Sequence, residues 1–144
     1  MNMVSRKNMT TILALAVSVF IPWGAAKAGA QEKTNVSIIS IKDAPDGINP
    51  ASVTVTRGDT VVWYNQGKEP VTIRVKQRIG IVCSPLVNFN ADPAGNYRTG
   101  SIPHGSTASL CFLHGGEYNY EVRWLALKDR KPTGKAAAGK VMVE

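Results

Sequence analysis

From Val36 onward the apolar residues of this chain keep returning at every second position, in short runs separated by turn residues. Ser52-Val53-Thr54-Val55-Thr56 alternates cleanly, as do Val71-Thr72-Ile73-Arg74-Val75-Lys76 and Glu117-Tyr118-Asn119-Tyr120-Glu121-Val122-Arg123-Trp124. Successive side chains of a strand point to opposite faces, so this pattern predicts half-buried strands with one apolar face each. Val36–Ile41 and Thr60–Asn65 are rich in β-branched or aromatic residues, which suit a pleated surface. Ser106–Leu113 sets Ala108, Leu110 and Phe112 on one face and Ser109, Cys111 and Leu113 on the other, and Lys140–Val143 is a short closing strand with Met142 expected in its core. Turn chemistry lies between these runs at Asp43-Ala44-Pro45-Asp46-Gly47, Arg57-Gly58-Asp59, Gln66-Gly67-Lys68-Glu69-Pro70 and Gly115-Gly116. Seven short strands and no convincing helix after residue 30 predict an all-β sandwich or barrel.

Two segments break the pattern. Residues 78–105 hold three prolines, several glycines and asparagines, and no sustained period. That is longer than an ordinary hairpin loop, and long excursions tend to be functional or flexible. Residues 128–140 are basic, small and punctuated by Gly and Pro, which predicts an exposed loop.

The N-terminus reads as an address. Arg6 and Lys7 precede an apolar run from Met9 to Ile21, Pro22 ends the run, and Ala26-Lys27-Ala28 and Ala28-Gly29-Ala30 both fit a small-residue cleavage rule. This is the form of a secretory signal peptide over residues 1–30, followed by one domain over 31–144. The run is roughly 13 residues against the roughly 20 a spanning helix needs, which disfavours the alternative of an uncleaved anchor. No later segment is apolar enough to span a bilayer, so no stable span is expected after cleavage and the expected location is periplasmic or secreted. Three of the 17 basic residues (Arg6, Lys7, Lys27) and none of the 10 acidic ones lie in the signal, leaving a mature charge of +4. That balance favours acidic partners mildly and is too scattered to argue for nucleic acid.

Two cysteines, Cys83 and Cys111, meet an oxidising compartment on export, where two thiols usually pair. The loop between them spans roughly 29 residues, so pairing would stabilise by about 3–4 kcal/mol on chain-entropy grounds. With Leu110 and Phe112 facing the core, Cys111 faces outward, and a Cys83–Cys111 bond would pin the excursion over that outer face. Ile79, Ile81, Val82, Leu86, Val87 and Phe89 would then cover the sheet or offer an apolar patch to a partner.

Three blocks in order resemble the cupredoxins, the fold of plastocyanins and azurins. Ile48 to Asn65 contains Pro50, Gly58-Asp59, Val61 and Trp63-Tyr64-Asn65 in the family's entry pattern; Gly115-Gly116-Glu117-Tyr118-Asn119-Tyr120 is similar to the strand leading to its copper site; Gly139-Lys140-Val141-Met142-Val143 is similar to its closing strand. The resemblance covers about residues 36–144 and implies a cupredoxin-like Greek-key β-sandwich of about seven strands. It also implies a blue-copper site of two His, one Cys and a weak axial ligand. Carried over position by position, the ligands are missing: Val71 stands at the first His, Val122 near the Cys and Leu125 near the second His, with no methionine between Trp124 and Gly139. Aliphatic side chains have no lone pairs, so no cofactor is expected and the vacated site is expected to be filled with hydrocarbon.

The alternative is a copper-binding electron carrier or copper-handling protein with displaced ligands, for which His104, Cys111 and His114 supply the right ligand types. Against it, residues three apart on a strand point to opposite faces. A third reading is a small-ligand binder with a mouth lined by Tyr and Trp. There is no internal repeat, phosphate-binding glycine loop, zinc-type cysteine pairing or convergent nucleophile, base and orienting group, so an enzyme is not expected. The leading expectation is a non-catalytic module without a type 1 copper site that contacts another envelope or extracellular protein, first through 78–105 and second through 128–140.

Overall fold

The computed structural model describes residues 34–45, 47–77 and 86–144. Residues 1–33, with the expected signal peptide, and 78–85, with Cys83, lie outside them. The described residues form ten strands and no helix: β1 Val36–Ile41, β2 Ile48–Asn49, β3 Ser52–Val55, β4 Thr60–Asn65, β5 Val71–Val75, β6 Phe89–Ala91, β7 Tyr97–Thr99, β8 Thr107–Cys111, β9 Gly116–Leu125 and β10 Pro132–Val143. They make two sheets, one ordered β2-β1-β4-β8 and the other β3-β10-β9-β5-β7-β6. Both are mixed, since β1 runs parallel to β4 and β3 runs parallel to β10.

Period-two alternation decides what lies between the sheets. Ile39 and Ile41 of β1, Val61 and Trp63 of β4, and Ala108 and Leu110 of β8 point inward from one side. Val71, Ile73 and Val75 of β5, Tyr118, Tyr120, Val122 and Trp124 of β9, and Val141 and Val143 of β10 answer from the other. Trp63 is fully buried and reaches across, meeting Tyr120 edge-on at 5.3 Å between ring centres and Phe89 at 5.5 Å. Such edge-to-face pairs add attraction beyond the area they bury.

The turn before β4 explains the Gly-Asp of the entry block. Gly58 has φ 92°, a left-handed conformation natural to glycine, and its N–H donates to the Phe112 carbonyl at 2.8 Å. Asp59 is buried and accepts from the Thr56 hydroxyl (2.6 Å), the Thr56 N–H (2.9 Å) and the Asn35 N–H (2.9 Å). The Thr56 hydroxyl foremost, then the two backbone donors, hold its carboxyl below the ordinary range. Gly139 faces Tyr120 across β9 and β10, and a β-carbon there would collide with the Tyr120 ring and the Ala51 carbonyl. The glycine of the closing block therefore makes room for the second tyrosine of the middle block.

Tyr120 itself is buried, with its hydroxyl 3.3 Å from the Ala51 carbonyl, and burial pushes its phenol up to about 12. Its unfolded value is about 10. A raised folded value means the folded chain holds the proton more tightly, so this contribution is complete below pH 10 and is lost as pH rises from about 10 to 12. Melting temperatures of the parent and Tyr120→Phe measured across that window test this. The parent should lose stability more steeply than the variant, whereas parallel curves would show that the phenol is not shielded.

Four expectations need correction. Ten strands replace seven, because β2, β6 and β7 are two or three residues long and too short to show a period. Residues 128–140 are not one loop: only 128–131 turn the chain, and from Pro132 it is strand, paired from Ala136 to Val143 against β9 with an irregularity after Pro132. Backbone pairing holds this stretch of small residues, so no apolar alternation marked it. Met142 lies on the outer face, 41% exposed, between buried Val141 and Val143. The described part of the excursion pairs with the sheets: Val87 bridges to Ser109, and β6 and β7 join the edge of the second sheet beside β5.

Candidate functional site

At one end of the sandwich the chain brings together β4–β5, β9–β10, residues 42–45 and residues 102–105. Val71 lies opposite Trp124, Val122 lies opposite Ile73, and the Leu125 N–H donates to the Pro70 carbonyl at 2.8 Å. Leu125 thus lies one residue beyond the partner of Val71 and Val122 two residues before it, so Val122 and Leu125 are on the order of 10 Å apart along β9 and on opposite faces by strand alternation. All three are buried: Val71 and Val122 completely, Leu125 nearly so. None of the three side chains carries a donor atom. Copper does not fit here, because a type 1 site needs imidazole and thiolate and these side chains offer only hydrocarbon.

Hydrogen bonds close this end. Asn65, fully buried, donates from Nδ2 to the carbonyls of Glu69 and Ile102, both at 3.0 Å, and accepts the Gly67 N–H on Oδ1 at 3.0 Å. Its backbone N–H donates to Ser106 and its carbonyl accepts from Gly105. Asp43 accepts the N–H groups of Lys68 (3.0 Å) and Glu69 (3.2 Å), which hold its carboxyl below the ordinary range. The Trp124 indole donates to the Lys42 carbonyl at 3.1 Å, and Lys135 pairs with Glu69 at 3.0 Å. Asn65 was visible in the sequence only as part of a motif; its role in tying two loops together, residues 66–70 and 102–106, comes from the fold.

The displaced-ligand set does not assemble. His104 is exposed, with Nδ1 3.0 Å from the Gly67 carbonyl, at the Asn65 end of β4. Cys111 lies opposite Thr60, at the other end of that strand, on the order of 17 Å away along five residues. His114 lies beyond Cys111, exposed, its carbonyl accepting the Tyr118 hydroxyl at 3.0 Å. Among the described residues no three His, Cys, Asp or Glu side chains converge on a point that could hold a metal ion. The small-ligand reading loses its mouth as well, because Trp63, Tyr118, Tyr120 and Trp124 are all buried in the core.

Leu110 and Phe112 face the core as expected. Cys111 shares the outward row of its sheet with Thr60 and Val36, yet it is only 3% exposed. No helix among the described residues is long and apolar enough to cross a membrane.

No family model matches the chain, and no curated protein matches it. Solved structures do. A reduced, copper(I) form of amicyanin with a proline-to-glycine substitution is 19% identical, over 80% of this chain and 88% of that one, with a TM-score of 0.48. A copper(I) amicyanin with a methionine-to-alanine substitution is 22% identical over 74% and 82%, with a TM-score of 0.47. A reduced amicyanin with a tryptophan-to-tyrosine substitution is 19% identical over 80% and 88%, with a TM-score of 0.49. Two mixed sheets that face one core make the chain an all-β sandwich, and the three sequence blocks that resemble the cupredoxins lie on its strands and turns.

Proposed function

We propose that this chain is an exported, non-catalytic module that keeps the cupredoxin-like frame without its type 1 copper site and works by contact with another protein of the envelope or exterior. The observation that carries this reading is that Val71, Val122 and Leu125, the positions where the resemblance would put ligands, are buried aliphatic side chains. An electron carrier without a redox centre has no means of carrying an electron, and a frame retained without its centre retains its surfaces. The signal-like first 30 residues support export, and a sandwich with one end closed by hydrogen bonds supports a rigid scaffold for recognition.

Within this reading Cys83 bonds Cys111. The near-complete burial of Cys111 on an outward row supports it, as does the lack of a free thiol among the described residues.

The test is crosslinking in the native envelope followed by mass spectrometry of the isolated adducts. One recurring partner, crosslinked through the same lysines in independent preparations, is the expected result. Recovery of the monomer alone would sink the interaction reading.

A further inference from the structure

The outer face of the larger sheet carries a cluster of guanidinium groups that nothing in the closed end or the core requires. Arg74 of β5 and Arg98 of β7 stand directly opposite each other in the antiparallel register, both exposed. Like charges directly opposite on neighbouring strands destabilise a sheet. Neither side chain makes a hydrogen bond or ion pair with any described residue. One strand further, Glu121 of β9 faces Arg74, with its carboxylate held by Arg123 Nε and, at 3.2 Å, by Lys76. Thr72, Arg74, Arg98, Glu121 and Arg123 line a shallow cleft of about 260 Å³. The cluster thus sets Arg74, Arg98, Arg123 and Lys76 against one carboxylate. A second, Asp92, stands at the border and is already turned to Asn96 and the Ala94 N–H.

This half-filled arrangement shows what the face accepts. Glu121 is a carboxylate seated between two cations, and the neighbouring Arg74–Arg98 pair offers a second seat of the same chemistry with no occupant from the described chain. We propose that this face docks an acidic segment of a partner protein, whose carboxylates take the Arg74–Arg98 seat. The proposal rests on the binding-module reading above and names the chemistry of its partner. A protein segment fits better than a free ion. These arginines are exposed, and a single exposed ion pair contributes little once side-chain ordering and salt screening are counted. Several carboxylates spaced along one chain can engage Arg98, Arg74 and Arg123 together, and the summed field steers them to the sheet.

The probe is a short polyglutamate peptide, titrated into isotope-labelled protein recovered after export and followed by amide chemical shifts. Inorganic phosphate at matched charge and phosphatidylglycerol-containing vesicles are the parallel arms. Shifts should concentrate at Thr72–Arg74, Tyr97–Thr99 and Arg123 and weaken as salt is added. Arg74→Gln/Arg98→Gln should weaken peptide binding about tenfold, while Lys131→Gln, outside the cleft lining, should not. Circular dichroism checks that both variants keep the parent fold, as exposed positions permit. Shifts elsewhere, equal binding by the double variant, or phosphate or vesicles binding as tightly as the peptide would each overturn the proposal. Such a failure leaves the module reading standing, since that reading falls on copper uptake or on the absence of any crosslinked partner.

Discussion

Asn65→Ala is expected to lower the unfolding free energy by about 3–5 kcal/mol, because it strips partners from three backbone groups at once. The side chain satisfies the Ile102 and Glu69 carbonyls and the Gly67 N–H, and two of those three bonds are fully buried. A buried polar group left unpaired costs about 1–3 kcal/mol, more than the bond itself contributes. Asn65→Asp separates the parts: it keeps an acceptor for Gly67 and loses both donated bonds. Urea denaturation should rank the parent above both variants, with protection of the Gly67 and Gly105 amides from hydrogen exchange lost first. A cost for Asn65→Ala below about 1 kcal/mol would mean that other contacts hold this end of the sandwich.

Trp63→Ala should cost about 3–5 kcal/mol for a different reason, the cavity left at the centre of the core. The indole is completely buried and touches aromatic rings on two strands of the facing sheet, so no single neighbour can collapse into the space. Trp63→Phe should cost much less, about 1–2 kcal/mol, since a ring still fills most of the volume. It also removes a buried indole N–H that has no hydrogen-bond acceptor among the described residues. Denaturation midpoints of the two variants measure this. Equal losses for Phe and Ala would contradict the view that ring volume at this position carries the effect.

The long strands were legible in the sequence because each had one buried and one wet face. β1 and β4 begin and end where their runs of β-branched and aromatic residues place them, and the shared face of Tyr118, Tyr120, Val122 and Trp124 is the buried face of β9. The first half of β10 was not legible, because residues such as Ala136 and Ala138 are exposed and are held by main-chain bonds to β9. β6 and β7 were hidden for a related reason: three residues cannot establish a period, and Phe89 and Tyr97 became core through contacts distant in sequence. At the candidate site the resemblance pointed to Val71, Val122 and Leu125, while the register of β5 on β9 sets Val71 opposite Trp124 and Val122 opposite Ile73, two rungs apart. The cluster of Arg74, Arg98 and Arg123 escaped sequence reading altogether. Its members come from three strands, one of them, β7, inside the excursion, and only pairing brings them to one face.

The resemblance to the cupredoxins would put copper ligands at Val71, Val122 and Leu125, where this chain has two valines and a leucine. Copper content of the protein isolated from its native envelope tests this most directly, measured by elemental analysis after dialysis against a chelator. The account predicts far less than stoichiometric copper and no intense thiolate-to-copper absorption. About one copper per chain, retained through dialysis, would contradict it.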